Sequence, residues 1–259
     1  MIDQRTLIWL DADDCRRAVE FAHKINENCD QAETDFGRRD LIRKISDRNA
    51  DTVEGKLAEI GVQKFLRIRS PFQVALDFQV YPGQENGDSG QDLSLVKLRG
   101  ASYRLDKKVD IKATREGSQW LLVEAYKFLA DVYIIVRVRL PFDFEKKYKS
   151  HTVDRACCEI AGFVYKDDLL FLDGRPWFSF PRDSRLFNLR GVDKPTVSDS
   201  GEFYSWLEHQ RQVTEIHSIG GPLKAELNYG MPIHWLRSGM DEWYKLFRWL
   251  EEHFIPGKT

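Results

Sequence analysis

Three residues within positions 88–114, DSGQDLSLVKLRGASYRLDKKVDIKAT, have the types and spacing to work on a phosphate group. Asp110 and Lys112 stand two apart, and in an extended strand alternate residues share a face. The acid and the amine then lie side by side, while Val109 and Ile111 turn towards a core. Asp92 heads the extended run before them, and if the two runs pair as a hairpin its carboxylate approaches Asp110. Two convergent carboxylates form a hard oxygen site of the kind magnesium takes, with several waters retained. The backbone carbonyl of Ile111 offers a third oxygen. A metal held there polarises a phosphate and lowers the pKa of a bound water. Lys112 is placed to orient that water or to stabilise charge developing on the phosphoryl group. Asp88 is the reserve for the first acid, although no apolar strand follows it directly.

These residues need elements to position them. Positions 11–50 have helical periodicity, with Cys15, Val19, Phe21, Ala22 and Ile25 followed by a break at Gly37. Leu41, Ile42 and Ile45 continue the run as a second helix. A third helix is expected over about 52–68, capped by Thr52 or Asp51, with Leu57, Ala58, Val62, Phe65 and Leu66 on one side. After Ser70-Pro71 the period changes to two: Phe72, Val74, Leu76 and Phe78 alternate as in a half-buried strand. Further strands are expected at 93–98, about 108–113, 120–123 and 132–138. Met240 to Phe254 reads as an amphipathic helix with Trp243, Leu246, Phe247 and Leu250 on one face.

A DxK pair alone is common, and as an exposed ion pair it is worth at most about 1 kcal/mol. Here it is joined by an acid at a strand start, by an upstream helix carrying Gly55-Lys56-Leu57-Ala58-Glu59, and by the β-branched run Val132-Tyr133-Ile134-Ile135-Val136. In these features the chain resembles the PD-(D/E)XK nuclease superfamily, which includes many type II restriction endonucleases. Its pattern is an acid, a variable gap, and (D/E)xK on a strand; Asp92 and Asp110-Ile111-Lys112 match it, with Gln91 where the family often has Pro. The family's helix carboxylate falls on Glu59 by the Gly-x-x-x-Glu spacing. Glu54 is its rival, since at about 100° per residue it projects near the middle of the apolar arc.

The resemblance implies an α/β (α+β) fold: a restriction-endonuclease-like mixed β-sheet core flanked by helices, with a C-terminal elaboration. It implies a single unit over 1–259, divided into a helical part (1–50), a catalytic core (51–140) and a recognition and dimerisation part (141–259). It further implies a Mg2+-dependent endonuclease, with Mn2+ as a substitute, acting on double-stranded DNA as a homodimer. A mismatch nickase, a junction resolvase and a catalytically dead DNA-binding module are the alternatives. Sequence is read in the grooves by Arg, Lys, Asn and Gln, and Arg182, Arg185, Asn188 and Arg190 occupy the most loop-like polar stretch.

Composition permits this without requiring it. The 42% hydrophobic and 31% charged residues are ordinary for a globular chain. No apolar stretch approaches a membrane span, and the start turns acidic too early for a secretory signal, so a cytoplasmic location is expected. The net charge of −2 means that positive charge must be concentrated if the chain binds nucleic acid. Clusters occur at Arg38, Arg39, Arg43 and Lys44, at 137–149, and at 182–194. Four cysteines without metal-ligand spacing read as free thiols.

Overall fold

A computed structural model describes residues 4–28, 45–78, 91–93, 95–213 and 217–256. It shows a mixed α/β fold with several sheets. Strand β1 (Leu7–Leu10) leads into helix α1 (Ala12–Asn28) through a reciprocal cap. The Asp11 carboxylate accepts from the Asp14 N–H, and the Asp14 carboxylate accepts from the Asp11 N–H, at 3.1 and 3.0 Å. This satisfies two of the donors that a helix start leaves open.

Helix α2 (Ile45–Arg69) is longer than its sequence pattern suggests. Thr52 lies inside it rather than at its cap, and Ile45 belongs to the same helix as Leu57. The expected break at Gly37, and Leu41 and Ile42, lie outside the described residues. Val53, Leu57, Ile60, Val62, Phe65 and Leu66 are all fully buried. The expected C-terminal end near 68 holds to within one residue, whereas the helix begins at Ile45 rather than near 52. The helix approaches the sheet closely at Gly61, where a Cβ would stand 2.8 Å from the Cβ of Cys158.

Next come β2 (Phe72–Ala75), β3 (Leu95–Leu98), β4 (Ala101–Leu105), β5 (Val109–Arg115), β6 (Trp120–Glu124) and β7 (Val132–Arg139). A short helix α3 (Phe144–Lys149) precedes the long strand β8 (Ala156–Tyr165). Then follow β9 (Phe178–Pro181), β10 (Leu186–Phe187), α4 (Ser200–Val213), β11 (Ser218–Ile219), β12 (Leu227–Pro232), α5 (Met240–Glu252) and β13 (Phe254–Pro256). Strand β4 and helix α4 have no counterpart in the expectations from sequence. The first is mostly exposed, with only Leu105 buried, and the second has only a weak apolar stripe.

The central sheet has the order β1-β8-β7-β5, with β5 and β7 parallel and the other pairs antiparallel. One face carries Val109, Ile111, Val132, Ile134, Val136 and Ile160 and packs against α1, α2 and α5. Phe65 of α2 and Trp243 of α5 meet edge to face at 5.0 Å in this core. The other face carries Tyr133, Ile135 and Val164. It is covered by the sheet β6-β12-β9, by α4, and by an aromatic cluster containing Trp120, Trp177, Phe178 and Phe203. Residues after 141 therefore contribute to both cores. A third sheet, β13-β4-β3-β2, joins the chain's end to the segment before β5.

Cys15, Cys157 and Cys158 are buried and free. Burial pushes the Cys15 thiol up to about 12, so it packs as an inert small side chain. Among the described residues no helix is long and apolar enough to cross a membrane.

Candidate active site

Strand β5 forms because Val109, Ile111 and Ala113 alternate with polar residues and because β7, strongly β-branched, pairs with it in parallel register. The expected division of faces is observed. Val109 and Ile111 enter the core against α2, whereas Asp110 and Lys112 project from the opposite face. Lys112 Nζ lies 2.6 Å from Asp110 Oδ2. The carboxylate is nearly buried and the lysine side chain is 25% exposed, so the pair lies at the boundary between core and solvent. Asp110 is in register with Tyr133 on β7. Burial raises the Tyr133 hydroxyl well above its ordinary range, and the charge of Asp110 adds to the shift. Tyr133 is a neutral wall of the site.

Asp92 reaches β5 by a different route from the one expected. Residues 92 and 93 are not a strand, and β3 pairs with β4 rather than with β5. Instead the Asp92 N–H donates to the Val109 carbonyl at 2.9 Å. Its Oδ2 accepts from the Ile111 N–H at 2.5 Å. Standard bond lengths then place this carboxylate within about 5 Å of the Asp110 Cα. In an extended strand a residue's N–H and C=O point the same way, so the Ile111 carbonyl opens to the edge where Asp92 stands. Among the described residues no further strand pairs with β5 beyond β7, so the Asp92 carboxylate and the Ile111 carbonyl lie along its outer edge, next to the face that carries Asp110 and Lys112. The set is chemically suited to a hard divalent cation.

The helix carboxylates stand elsewhere. Both Glu54 and Glu59 are on α2, which packs on the Ile111 side of the sheet. Glu54 is nearly buried and accepts from Arg115 Nε at 3.2 Å. Burial raises its pKa, with Arg115 pulling the other way. Glu59 pairs with Lys56 at 2.7 Å, and that ammonium also donates to the Asp77 carbonyl and lies 4.2 Å over the Phe21 ring. Among the described residues no group of three or more His, Cys, Asp or Glu side chains is arranged to hold a metal. Neither glutamate therefore joins Asp92 and Asp110 in such a group. Asp88 lies outside the described residues.

Arg182, Arg185, Asn188 and Arg190 occupy one connected stretch beside β10 and β11. The three arginines are exposed. The Asn188 N–H donates to the His217 carbonyl at 3.0 Å, and its Oδ1 accepts from the Arg190 N–H at 3.3 Å. This stretch packs on the Tyr133 side of the central sheet, the side from which Asp110 and Lys112 project.

One group of cations escaped the charge clusters drawn from sequence. Lys97, Arg99, Arg104, Lys107 and Lys108 fall between Asp92 and Asp110, with Asp106 the only acid among them. Their spacing hides the group in a list of basic runs, but counting charge between the two motif acids reveals it.

No protein-family model, no curated protein and no solved structure matches the chain.

Proposed function

We propose that the chain is a Mg2+-dependent DNA endonuclease of the PD-(D/E)XK type, cutting double-stranded DNA at specific sequences as a homodimer in the cytoplasm. The observation that carries this reading is the Asp92 carboxylate held on the Ile111 amide, one residue from the Asp110–Lys112 pair. The fold also suits it: an acid-bearing edge strand has a parallel β-branched neighbour, with helices on one face.

Asp92, Asp110 and the Ile111 carbonyl are the residues that would hold Mg2+, or Mn2+ in its place. The ion, when bound, supplies Lewis-acid polarisation of a phosphate and a water of lowered pKa. Lys112 keeps an ammonium beside this site, paired with Asp110 until a more strongly charged phosphoryl oxygen competes for it. That competition favours the transition state over the ground state, which is how an electrostatic group raises a rate. The exposed arginines at 182, 185 and 190, with Asn188, are the candidate base readers on the same side of the sheet.

The test is incubation of the purified protein with unmethylated phage DNA in Mg2+ and in EDTA, resolved on a gel. Discrete Mg2+-dependent fragments are expected. A smear, or cutting confined to branched or mismatched DNA, would move the protein to the repair and recombination nucleases. Intact DNA on every substrate would leave a DNA-binding module with a dead site.

A further inference from the structure

We propose that the exposed face of the β3–β4 hairpin is the surface on which the DNA backbone docks, with Lys97, Arg99 and Arg104 as its phosphate contacts. The inference rests on the nuclease reading for the identity of the polyanion, and on the hairpin itself for the place.

The two strands are joined by Arg99-Gly100, both at positive φ (49° and 85°). This is the geometry of a two-residue type I′ turn, whose twist matches the flanking strands. Val96 and Leu105 face the core. Leu95, Lys97, Ser102 and Arg104 are exposed on the other face. Lys97 is opposite Ser102 and Arg104 is opposite Leu95, so the two cations are diagonal neighbours, about 7–8 Å apart and somewhat less at Cβ. Arg99 extends the same line at the turn. Among the described residues none of these three has a carboxylate at ion-pair distance, whereas Lys56, Lys64, Arg115, Arg137, Arg139 and Arg237 all do. In a chain of net charge −2, three such cations on one hairpin are available to an external anion.

Position adds to charge. The hairpin begins just after Asp92 and returns to β5 just before Asp110, so its base is the candidate site. A strand of DNA lying along it leads towards the scissile position. On the neighbouring strand β2, Gln73 is opposite Lys97 and lines a cavity of about 180 Å3 together with Arg17, Arg67 and the paired Lys64 and Asp14. The polar surface thus continues past the hairpin. A second copy of the chain fits this face poorly, because a two-fold pairing repeats the same patch on both subunits and would set cation against cation.

The experiment measures binding of a short fluorescein-labelled DNA duplex in EDTA, where no cutting can occur, over a series of salt concentrations. The wild type is compared with Lys97→Gln/Arg99→Asn/Arg104→Gln, in which Asn suits the positive φ at position 99. Each lost phosphate contact lowers the slope of log Kd against log salt by about 0.9. The triple variant should therefore lose about 2 to 3 from the slope while its thermal midpoint stays unchanged. The single variants, each losing about 0.9, carry the test if the triple variant folds poorly. An unchanged slope overturns the inference and leaves the nuclease reading standing. Absence of wild-type binding also overturns it, as does a changed sedimentation state without a changed slope, which would give the face to a second copy. A reduced slope in a protein that cuts no DNA would keep the docking surface and sink the nuclease reading.

Discussion

Lys112 Nζ and Asp110 Oδ2 are 2.6 Å apart on one face of β5, and Ile111 between them is turned into the opposite core. The alternation of a strand therefore does two things at once. It anchors the segment through Val109 and Ile111, and it sets an acid and an ammonium side by side.

Lys112→Ala should reduce Mg2+-dependent cleavage by at least about 100-fold, the scale seen when one electrostatic stabiliser is removed. Its Kd for DNA in EDTA should change little if, as proposed, the lysine serves the transition state. Single-turnover cleavage and a binding titration on one preparation check both statements. Cutting near the wild-type rate would remove Lys112 from the chemistry.

Two substitutions at Asp92 separate its roles. Asp92→Asn keeps an acceptor for the Ile111 N–H and should fold with nearly the wild-type midpoint, yet lose cleavage. Asp92→Ala removes the acceptor too, and should cost on the order of a further 1–3 kcal/mol, the penalty for leaving the Ile111 N–H unsatisfied. Urea melts beside cleavage assays would show whether the carboxylate is structural, chemical or both.

Glu54 supplies a pH signature. Burial raises its pKa despite Arg115, so the folded state holds this proton more tightly than the unfolded chain does. Stability from that proton is present below the ordinary carboxylate value and is lost as pH rises through the folded one. Glu54→Gln should consequently melt above the wild type at neutral pH, and the gap should close on acidification. Arg115→Ala should shift the neutral-pH midpoint the other way, since it leaves the carboxylate without its guanidinium. Melting curves across the acid range give the comparison.

Gly61→Ala should destabilise the fold by about 1–3 kcal/mol, even though alanine favours helix by roughly 1 kcal/mol. The new methyl would stand 2.8 Å from the Cβ of Cys158, and β8 is held on both sides by strands and cannot retreat. Gly55→Ala, with open space at its Cβ, should instead be neutral or stabilising. A chemical-denaturation pair of these two variants isolates the close approach.

Much of the local structure was legible. The faces of β5 follow from Val109, Asp110, Ile111 and Lys112 in turn, and the buried stripe of α5 from Trp243, Leu246, Phe247 and Leu250. The route of Asp92 to β5 was not legible. A hairpin is the local solution, but Asp92 reaches the strand through one backbone bond and its own side chain, a long-range choice that no periodicity encodes. Glu54 illustrates the opposite failure. Its position in the apolar arc was correctly read, but its partner Arg115 lies far along the chain. The cations of the β3–β4 hairpin were visible in the sequence all along, and only the strand register shows that Lys97 and Arg104 share one exposed face.

Among the described residues the central sheet ends at β5, and the last strand of a sheet presents unpaired N–H and C=O groups that can template pairing with another chain. Here the Asp92 segment occupies two of those groups and sets a negative charge at the margin. The acid assigned to chemistry thus doubles as a guard against intermolecular β-association. Variants that delete it are expected to gain a route to aggregation, and solubility, as much as activity, constrains what can stand at that position.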